Sequence, residues 1–349
     1  MKTWDSAKET TATLKARSSR RKVKTANMSE SLPIKFGIIG CSRVAKKRFL
    51  PAVVSSKKAR LRHIGSRNLV RAEEYAKEFG AEKAGFYEDV LNDEEVSAVY
   101  ISTPPPLHFE WVIKAAEAGK HIICEKPAFL NLAEAKDALE ICREKGVRIF
   151  ENYAFLYHPQ HAIVRNLSEK IGKIGFFDAH FTYPLPDAGD IRLKAELLGG
   201  VSYDSLGYPI VAAIFHLDSL PHKVLGKEEI NKDLDIDVSA EVELFLSGGV
   251  KAKCRAAMGE EYSSFYKLYG ETGSLEVCRA FSVNVDKPTN VILETKNVRK
   301  NIFVKPASQF LLAINDFCEG VFNSSYGNFE KDILTRAKVM EAVRRSMKR

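Results

Sequence analysis

Beyond Pro33 the chain alternates short apolar runs with amphipathic stretches of about 10–15 residues. Ile34–Ile39 is the first such run, and a helical stretch opens from about Arg43. The pattern then predicts a strand over 61–65, a helix over Leu69–Phe79 that stops at Gly80, and a buried strand over 96–102. A helix continues to Gly119, followed by strands over 121–124 and 147–151 with a helix over 131–145 between them. Strands and helices in strict alternation make βαβ units and a parallel sheet. Residues 33–153 are therefore expected to form one domain.

The second half changes period. After a helix around 158–170 come strand patterns at 174–184, 223–228, 236–248, 250–258, 263–269, 273–278, 282–286 and 299–304. Gly248-Gly249 joins two of them as a hairpin would. One helix near 204–216 interrupts the strands, and helices over about 308–322 and 330–347 close the chain. Residues 154–349 thus predict an α+β domain on an open, largely antiparallel sheet. Its last helices are candidates to pack back on the first domain.

Composition narrows the function classes. With 45% hydrophobic and 28% charged residues in 349, the chain is neither a disordered polymer nor a disulfide scaffold. Its longest apolar run, about eight residues over 208–215, falls short of the ~20 that a membrane span needs. The net charge of +8 sits mostly in residues 1–29, where eight Lys and Arg face only Asp5 and Glu9. What remains is nearly neutral, so no nucleic-acid partner is expected. Residues 1–32 are read as a disordered basic tail that is dispensable; a targeting peptide or an anion-binding arm on Arg20-Arg21-Lys22 is the alternative. Six scattered cysteines suggest the reduced thiols of a cytoplasmic protein. No metal site is expected, His158-Pro-Gln-His161 being the nearest approach to ligand spacing.

The first strand leads into Gly40-Cys-Ser42-Arg43-Val44-Ala45, in the place of a Gly-x-Gly-x-x-Gly/Ala dinucleotide turn. A glycine there allows the tight turn, and the small residues let backbone approach a pyrophosphate that sits on helix N–H groups. The second strand ends at Ser66-Arg67 with no acid. A carboxylate at that point would hold an adenosine ribose, whereas arginine and serine suit a 2′-phosphate. NADP is therefore preferred, with NAD the alternative.

Two more strand ends carry Thr103-Pro104-Pro105-Pro-Leu-His108 and Glu125-Lys126-Pro127. Together with the phosphate turn and Gly199-Gly200-Val-Ser-Tyr-Asp204-Ser-Leu-Gly207-Tyr208, they make the chain resemble the Gfo/Idh/MocA oxidoreductases over roughly 33–347. The resemblance implies a Rossmann domain followed by a substrate domain, and a homodimer or higher homo-oligomer. It also implies reversible hydride transfer between NADP(H) and a secondary alcohol or carbonyl of a sugar or related polyol. Tyr208, four residues beyond Asp204, stands where many relatives have histidine, and a tyrosine there resembles the branch of glucose–fructose oxidoreductase, dihydrodiol dehydrogenase and the nucleotide-sugar 3-ketoreductases. Pro105, Leu198, the displaced Gly207 and His158 depart from the family pattern.

By the same resemblance Lys126, Tyr208 and Asp204 are the catalytic candidates. Gly40, Ser42, Arg43, Val44, Ser66, Arg67, Thr103, Pro104, His108, Glu125 and Lys126 would hold the cofactor, and Arg192, Asp204, Tyr208 and His158 the substrate. Lys126 is expected to lower the phenol of Tyr208 from its ordinary value near ~10. The competing reading is a sugar- or dinucleotide-sensing protein of the same fold without turnover, which would have no use for the Lys126 and Tyr208 pair.

Overall fold

The computed structural model describes residues 32–324 and 329–347; the basic tail of the sequence reading lies outside them. The first sheet is built from β1 (Ile34–Ile39), β2 (Ala59–Gly65), β3 (Lys83–Gly85), β4 (Ala98–Ile101), β5 (His121–Glu125) and β6 (Ile149–Asn152). Their order is β3-β2-β1-β4-β5-β6, and every pairing is parallel. Helices α1 (Leu50–Ser55), α2 (Leu69–Phe79), α3 (Tyr87–Asn92), α4 (His108–Glu117) and α5 (Leu132–Glu144) make the crossovers. A parallel sheet covered on both faces needs strands apolar throughout. β4 has this property, with all four residues buried. A π-helical turn over Ala45–Phe49 feeds α1. Asn68 caps α2 by accepting from the Arg71 N–H at 3.1 Å, and the helix turns Ala72, Tyr75 and Ala76 inward. The short β3 and α3 have no counterpart in the sequence reading, because three to six residues carry too little periodicity.

The second sheet has eight strands. Following α6 (Pro159–Leu167) come β7 (Ile174–Tyr183), α7 (Val201–Asp204), α8 (Gly207–Leu217), β8 (Lys223–Asn231), β9 (Ile236–Phe245), β10 (Lys251–Met258), β11 (Ser263–Gly270), β12 (Gly273–Val277), β13 (Thr289–Thr295) and β14 (Arg299–Val304). The order is β14-β13-β12-β11-β7-β10-β9-β8, antiparallel except for the parallel pair β7–β10. Its inner face packs on α6 and α8 around Phe177, Tyr266, Val242 and Ile210. The strand expected over 282–286 is absent, and β13 takes its place in the sheet. Backbone groups of that segment are engaged elsewhere: the Ser282 carbonyl accepts from the Tyr262 hydroxyl at 3.4 Å, and the Val283 carbonyl accepts from Arg48 at 3.3 Å.

The helix expected over 204–216 is two helices, α7 and α8, with a break at Ser205-Leu206. Ala195–Leu217 is long enough to cross a membrane and contains a stretch apolar enough to do so, yet 61% of that stretch is buried inside this fold. Two helices return to the first half. α9 (Gln309–Phe322) lays Phe310, Ile314 and Phe317 on the sheet face formed by Phe36, Tyr100, Ile123 and Phe150. α10 (Phe329–Met347) gives Ile333 and Ala337 to the opposite face of the first sheet, and Val339, Met340, Val343 and Met347 to the core of the second.

Candidate active site

A cleft of about 1000 Å³ opens along the carboxyl ends of the first sheet and continues beneath the loop that follows β7. Gly40 begins its floor with φ at +109°, a backbone region that L side chains rarely adopt. A Cβ there would lie 3.0 Å from the Ser102 carbonyl, so the turn is closed against β4 by the lack of one. Ser42 turns its hydroxyl back to accept from the Ala45 N–H at 3.0 Å, while Arg43 reaches across to Asp190 at 3.0 Å. Val44 and Cys41 complete this part of the lining.

At one end, beyond β2, the wall is Ser66, Arg67, Asn68, Arg71 and Tyr87. Two guanidinium groups and no carboxylate face the cleft there, a charge balance that suits a phosphate. At the other end lie Thr103, Pro104, Pro105, His108, Glu125 and Lys126. Thr103 Oγ1 is fully buried and has no hydrogen-bond partner, which fits a cleft that a polar ligand completes. The dimensions, the paired arginines and this orphaned hydroxyl together fit a dinucleotide. His108 places Nδ1 and Nε2 2.8 Å from the carbonyls of Pro127 and Thr103, tying the two loops together. Burial holds its ring below the ordinary imidazole value.

The pairing of Lys126 with Asp204 is the electrostatic centre. Lys126 Nζ donates to Asp204 Oδ1 at 2.8 Å and to the Asp204 carbonyl at 2.7 Å, and lies 5.1 Å from the centroid of the Tyr208 ring. Asp204 Oδ2 accepts from the Tyr183 hydroxyl at 3.3 Å. Burial opposes the Lys126 ammonium, but the Asp204 carboxylate outweighs it, and the amine titrates well above its usual value. Burial likewise raises Asp204 until Lys126 reverses the direction and holds it low.

Tyr208 departs from expectation. Lys126 does pull its phenol down, yet burial prevails and pushes it up to about 12. The cause is an aromatic enclosure of Tyr153, Phe155, Phe181 and Phe281, whose ring centroids lie 5.2–5.9 Å away. The displaced glycine belongs to the same enclosure: a Cβ on Gly207 would come within 2.3 Å of the Tyr153 hydroxyl. Glu125, buried beside Lys126, accepts from Tyr100 and Asn152 at 2.7 and 2.6 Å, and burial raises its carboxyl.

Arg192 is in the lining, clamped by two bonds of 2.9 and 2.8 Å to Asp190. These bonds from Arg192 bring the Asp190 carboxyl down to about 2. His158 is a correction. It is buried in the core, with Nδ1 capping α6 by accepting from the Gln160 N–H, and it is not part of the cleft lining. The Pro159 that follows fixes it at the helix start, where a ring nitrogen serves the backbone. Sequence reasoning missed Arg71, Tyr87, Asn152, Gln309 and Phe310, all of which line the cleft. Arg71 stands in the first turn of α2, close behind Arg67, and could have been found from that nearness; Gln309 arrives by a long-range contact that no local pattern records. Among the described residues no group of three His, Cys, Asp or Glu could hold a metal ion.

Comparison with known proteins agrees with this architecture. The family described as oxidoreductase family, NAD-binding Rossmann fold, matches residues 34–153, and the Gfo/Idh/MocA C-terminal domain matches 163–276. The dTDP-3,4-didehydro-2,6-dideoxy-alpha-D-glucose 3-reductase of Actinomadura kijaniata is 32% identical over 91% of this chain and 97% of its own length. The NADP-dependent D-xylose 1-dehydrogenase 2 of Haloferax volcanii is 31% identical over 71% of this chain and 77% of its own. Among solved structures, the Actinomadura kijaniata 3-ketoreductase KijD10 with NADP and TDP-benzene superposes at a TM-score of 0.86, with 32% identity over 90% of this chain and 98% of that one. The sheet order, the glycine turn at Gly40 and the matched extent of both halves lead to one assignment: this chain belongs to the Gfo/Idh/MocA oxidoreductase family.

Proposed function

We propose that the protein is an NADP(H)-dependent oxidoreductase that interconverts a carbonyl and a secondary alcohol on a sugar. The observation that carries it is one cleft with Arg67 and Arg71 at one end and Lys126, Asp204 and Tyr208 at the other. NADPH-linked relatives that act on sugars, by their names, support the choice of cofactor and substrate class. Ser66, Arg67 and Arg71 hold the 2′-phosphate by charge-assisted bonds. The backbone of Gly40–Val44 takes the pyrophosphate.

The bound cofactor supplies or accepts the hydride. In the reducing direction the Tyr208 hydroxyl donates its proton to the carbonyl oxygen as negative charge develops there. A phenol near 12 stays protonated through the physiological range and is therefore ready as an acid. Lys126 faces the same point with a permanent positive charge, which stabilises the oxyanion. Asp204 keeps Lys126 charged and oriented through two contacts from one residue. Arg192 and Asp187 line the substrate end of the cleft, where sugar hydroxyls find donors and acceptors. Retention of both Lys126 and Tyr208 in one chamber favours turnover over a sensing role. The protein is further taken to work in the cytoplasm as a homodimer. Exposed Phe303, 62% accessible, and the Phe176–Tyr269 pair on the outer side of the second sheet give a second copy something apolar to cover.

The test is NADPH oxidation, followed by absorbance, over a panel of keto-sugars free and nucleotide-linked, with NADP reduction over the matching sugars. Turnover of any of them supports the assignment. Tight NADPH binding with no turnover across the panel would overturn it in favour of a sensor.

A further inference from the structure

Gln309, the first residue of α9, is 7% exposed and lines the cleft, yet its Oε1 is fully buried with no hydrogen-bond partner. A buried acceptor left unpaired loses its hydration without recompense, so such atoms are rare without a partner to come. The place of this one is fixed along the whole helix. Ser308 caps α9 by accepting from the Leu311 N–H at 3.3 Å, Asn315 accepts from Ser56 at 2.7 Å, and Asp316 accepts from Tyr157 at 2.8 Å. Phe317 packs on Phe36 and Phe150, with centroids 6.0 and 6.4 Å away. A rigid support holding an unsatisfied acceptor toward a cleft is the signature of a ligand contact. Residue 309 lies outside both family matches, 34–153 and 163–276.

Its position selects which part of the dinucleotide it meets. α9 covers a sheet face that includes β1, β4, β5 and β6, and it packs on the turn Ala154–Tyr157 that follows β6. The ends of β5 and β6 carry Glu125, Lys126 and Asn152, the redox end of the cleft. The arginines for the 2′-phosphate lie beyond β2, on the other side of β1. The second orphaned atom in the lining, Thr103 Oγ1, follows β4 on the redox side. One hydroxyl and one acceptor are the complement of a primary amide, which offers one carbonyl and one amino group.

We infer that Gln309 accepts a hydrogen bond from the amino group of the nicotinamide carboxamide, so that α9 is part of the cofactor site. This rests on the dinucleotide reading above. The contact would hold the ring in register with Tyr208 and Lys126, and it makes Gln309 a positioning residue.

The experiment is calorimetric binding of three probes to wild type and Gln309→Met: NADP, its 3-acetylpyridine analogue, which lacks the amino donor, and 2′,5′-ADP, which lacks the nicotinamide half. Wild type should bind the analogue about tenfold more weakly than NADP, a comparison that needs no variant. Gln309→Met should weaken NADP by the same factor and leave the analogue and 2′,5′-ADP within about twofold of wild type. Equal loss for NADP and the analogue, or a loss that extends to 2′,5′-ADP, would show the side chain acting on the fold and overturn the inference. So would unchanged NADP affinity in the variant. A wild-type protein that binds none of the three sinks the dinucleotide reading itself, an outcome plainly distinct from the others.

Discussion

Replacing Asp204 by asparagine keeps the shape of the side chain and removes the one carboxylate that offsets the Lys126 ammonium. Lys126 has a side chain only 11% exposed and Asp204 one 31% exposed, so the pair is largely desolvated. Breaking such a pair by deleting one partner costs about 3–5 kcal/mol. Partial exposure of Asp204, and the Asp204 carbonyl that still accepts from Nζ at 2.7 Å, place the expected loss near the lower bound, about 3 kcal/mol. The sign of the pH dependence follows from both groups. Lys126 titrates above its unfolded value, so its contribution is complete below that value and is lost only as pH rises through the folded one. Asp204 titrates low, so its contribution is present above the unfolded carboxylate value and is lost as pH falls through the folded one. In Asp204→Asn the burial of the amine loses its main opponent, and burial favours the neutral form. The basic limb of the kcat/KM profile should therefore move to lower pH than in wild type. Denaturant unfolding at pH 7 and the pH profile are the two assays. An Asp204→Asn protein with unchanged stability and an unchanged basic limb would refute the view that the carboxylate holds the charge on Lys126.

Four further outcomes follow from the same geometry. Tyr208→Phe should bind NADP as wild type does while turnover falls ~10²–10⁴, and Lys126→Met should cost at least as much, with the double variant losing less than the product; single-turnover rates together with cofactor titration check this. Arg67→Asp should shift preference from NADP toward NAD by at least about tenfold, ~1.4 kcal/mol, and wild type binding NAD more tightly than NADP would contradict the 2′-phosphate assignment. Asp190→Asn frees Arg43 and Arg192 together, so KM for the sugar should rise several-fold and stability should fall by about 2 kcal/mol, because the carboxylate is only 10% exposed and takes two bonds from Arg192. Light scattering at micromolar concentration should give the mass of at least two chains, and a monomer there would remove the role given to the outer face of the second sheet.

The sequence was most legible where the requirement is local. Alternating apolar runs and the stop at Gly80 identify β1, α2 and their neighbours, because period and a glycine stop are written within a dozen residues. The Gly40 turn was readable for the same reason. Legibility failed at 282–286, where the side chains of Arg48 and Tyr262, from other elements, engage backbone that a strand would have used. It failed again for the phenol of Tyr208. One cation nearby predicts a lower value, but the outcome depends on four aromatic rings from three separate segments. His158 shows the converse error: a residue standing at a family position was given a ligand role, and the fold uses it as a helix cap.

The return of α9 to the first sheet has a consequence for how the protein is made. Phe36, Tyr100, Ile123 and Phe150 belong to strands finished by residue 152, but the helix that covers them spans 309–322. Roughly 170 residues must be synthesised in between, which at about 5–20 residues per second leaves that apolar face open for on the order of 10–30 s. During this interval the nascent first sheet carries the kind of exposed surface that chaperones bind and that neighbouring chains can capture. A fragment ended at residue 276, where the second family match stops, would keep that face open permanently. The yield of folded protein should thus depend on the end of the chain far more than on the surface loops of the second sheet.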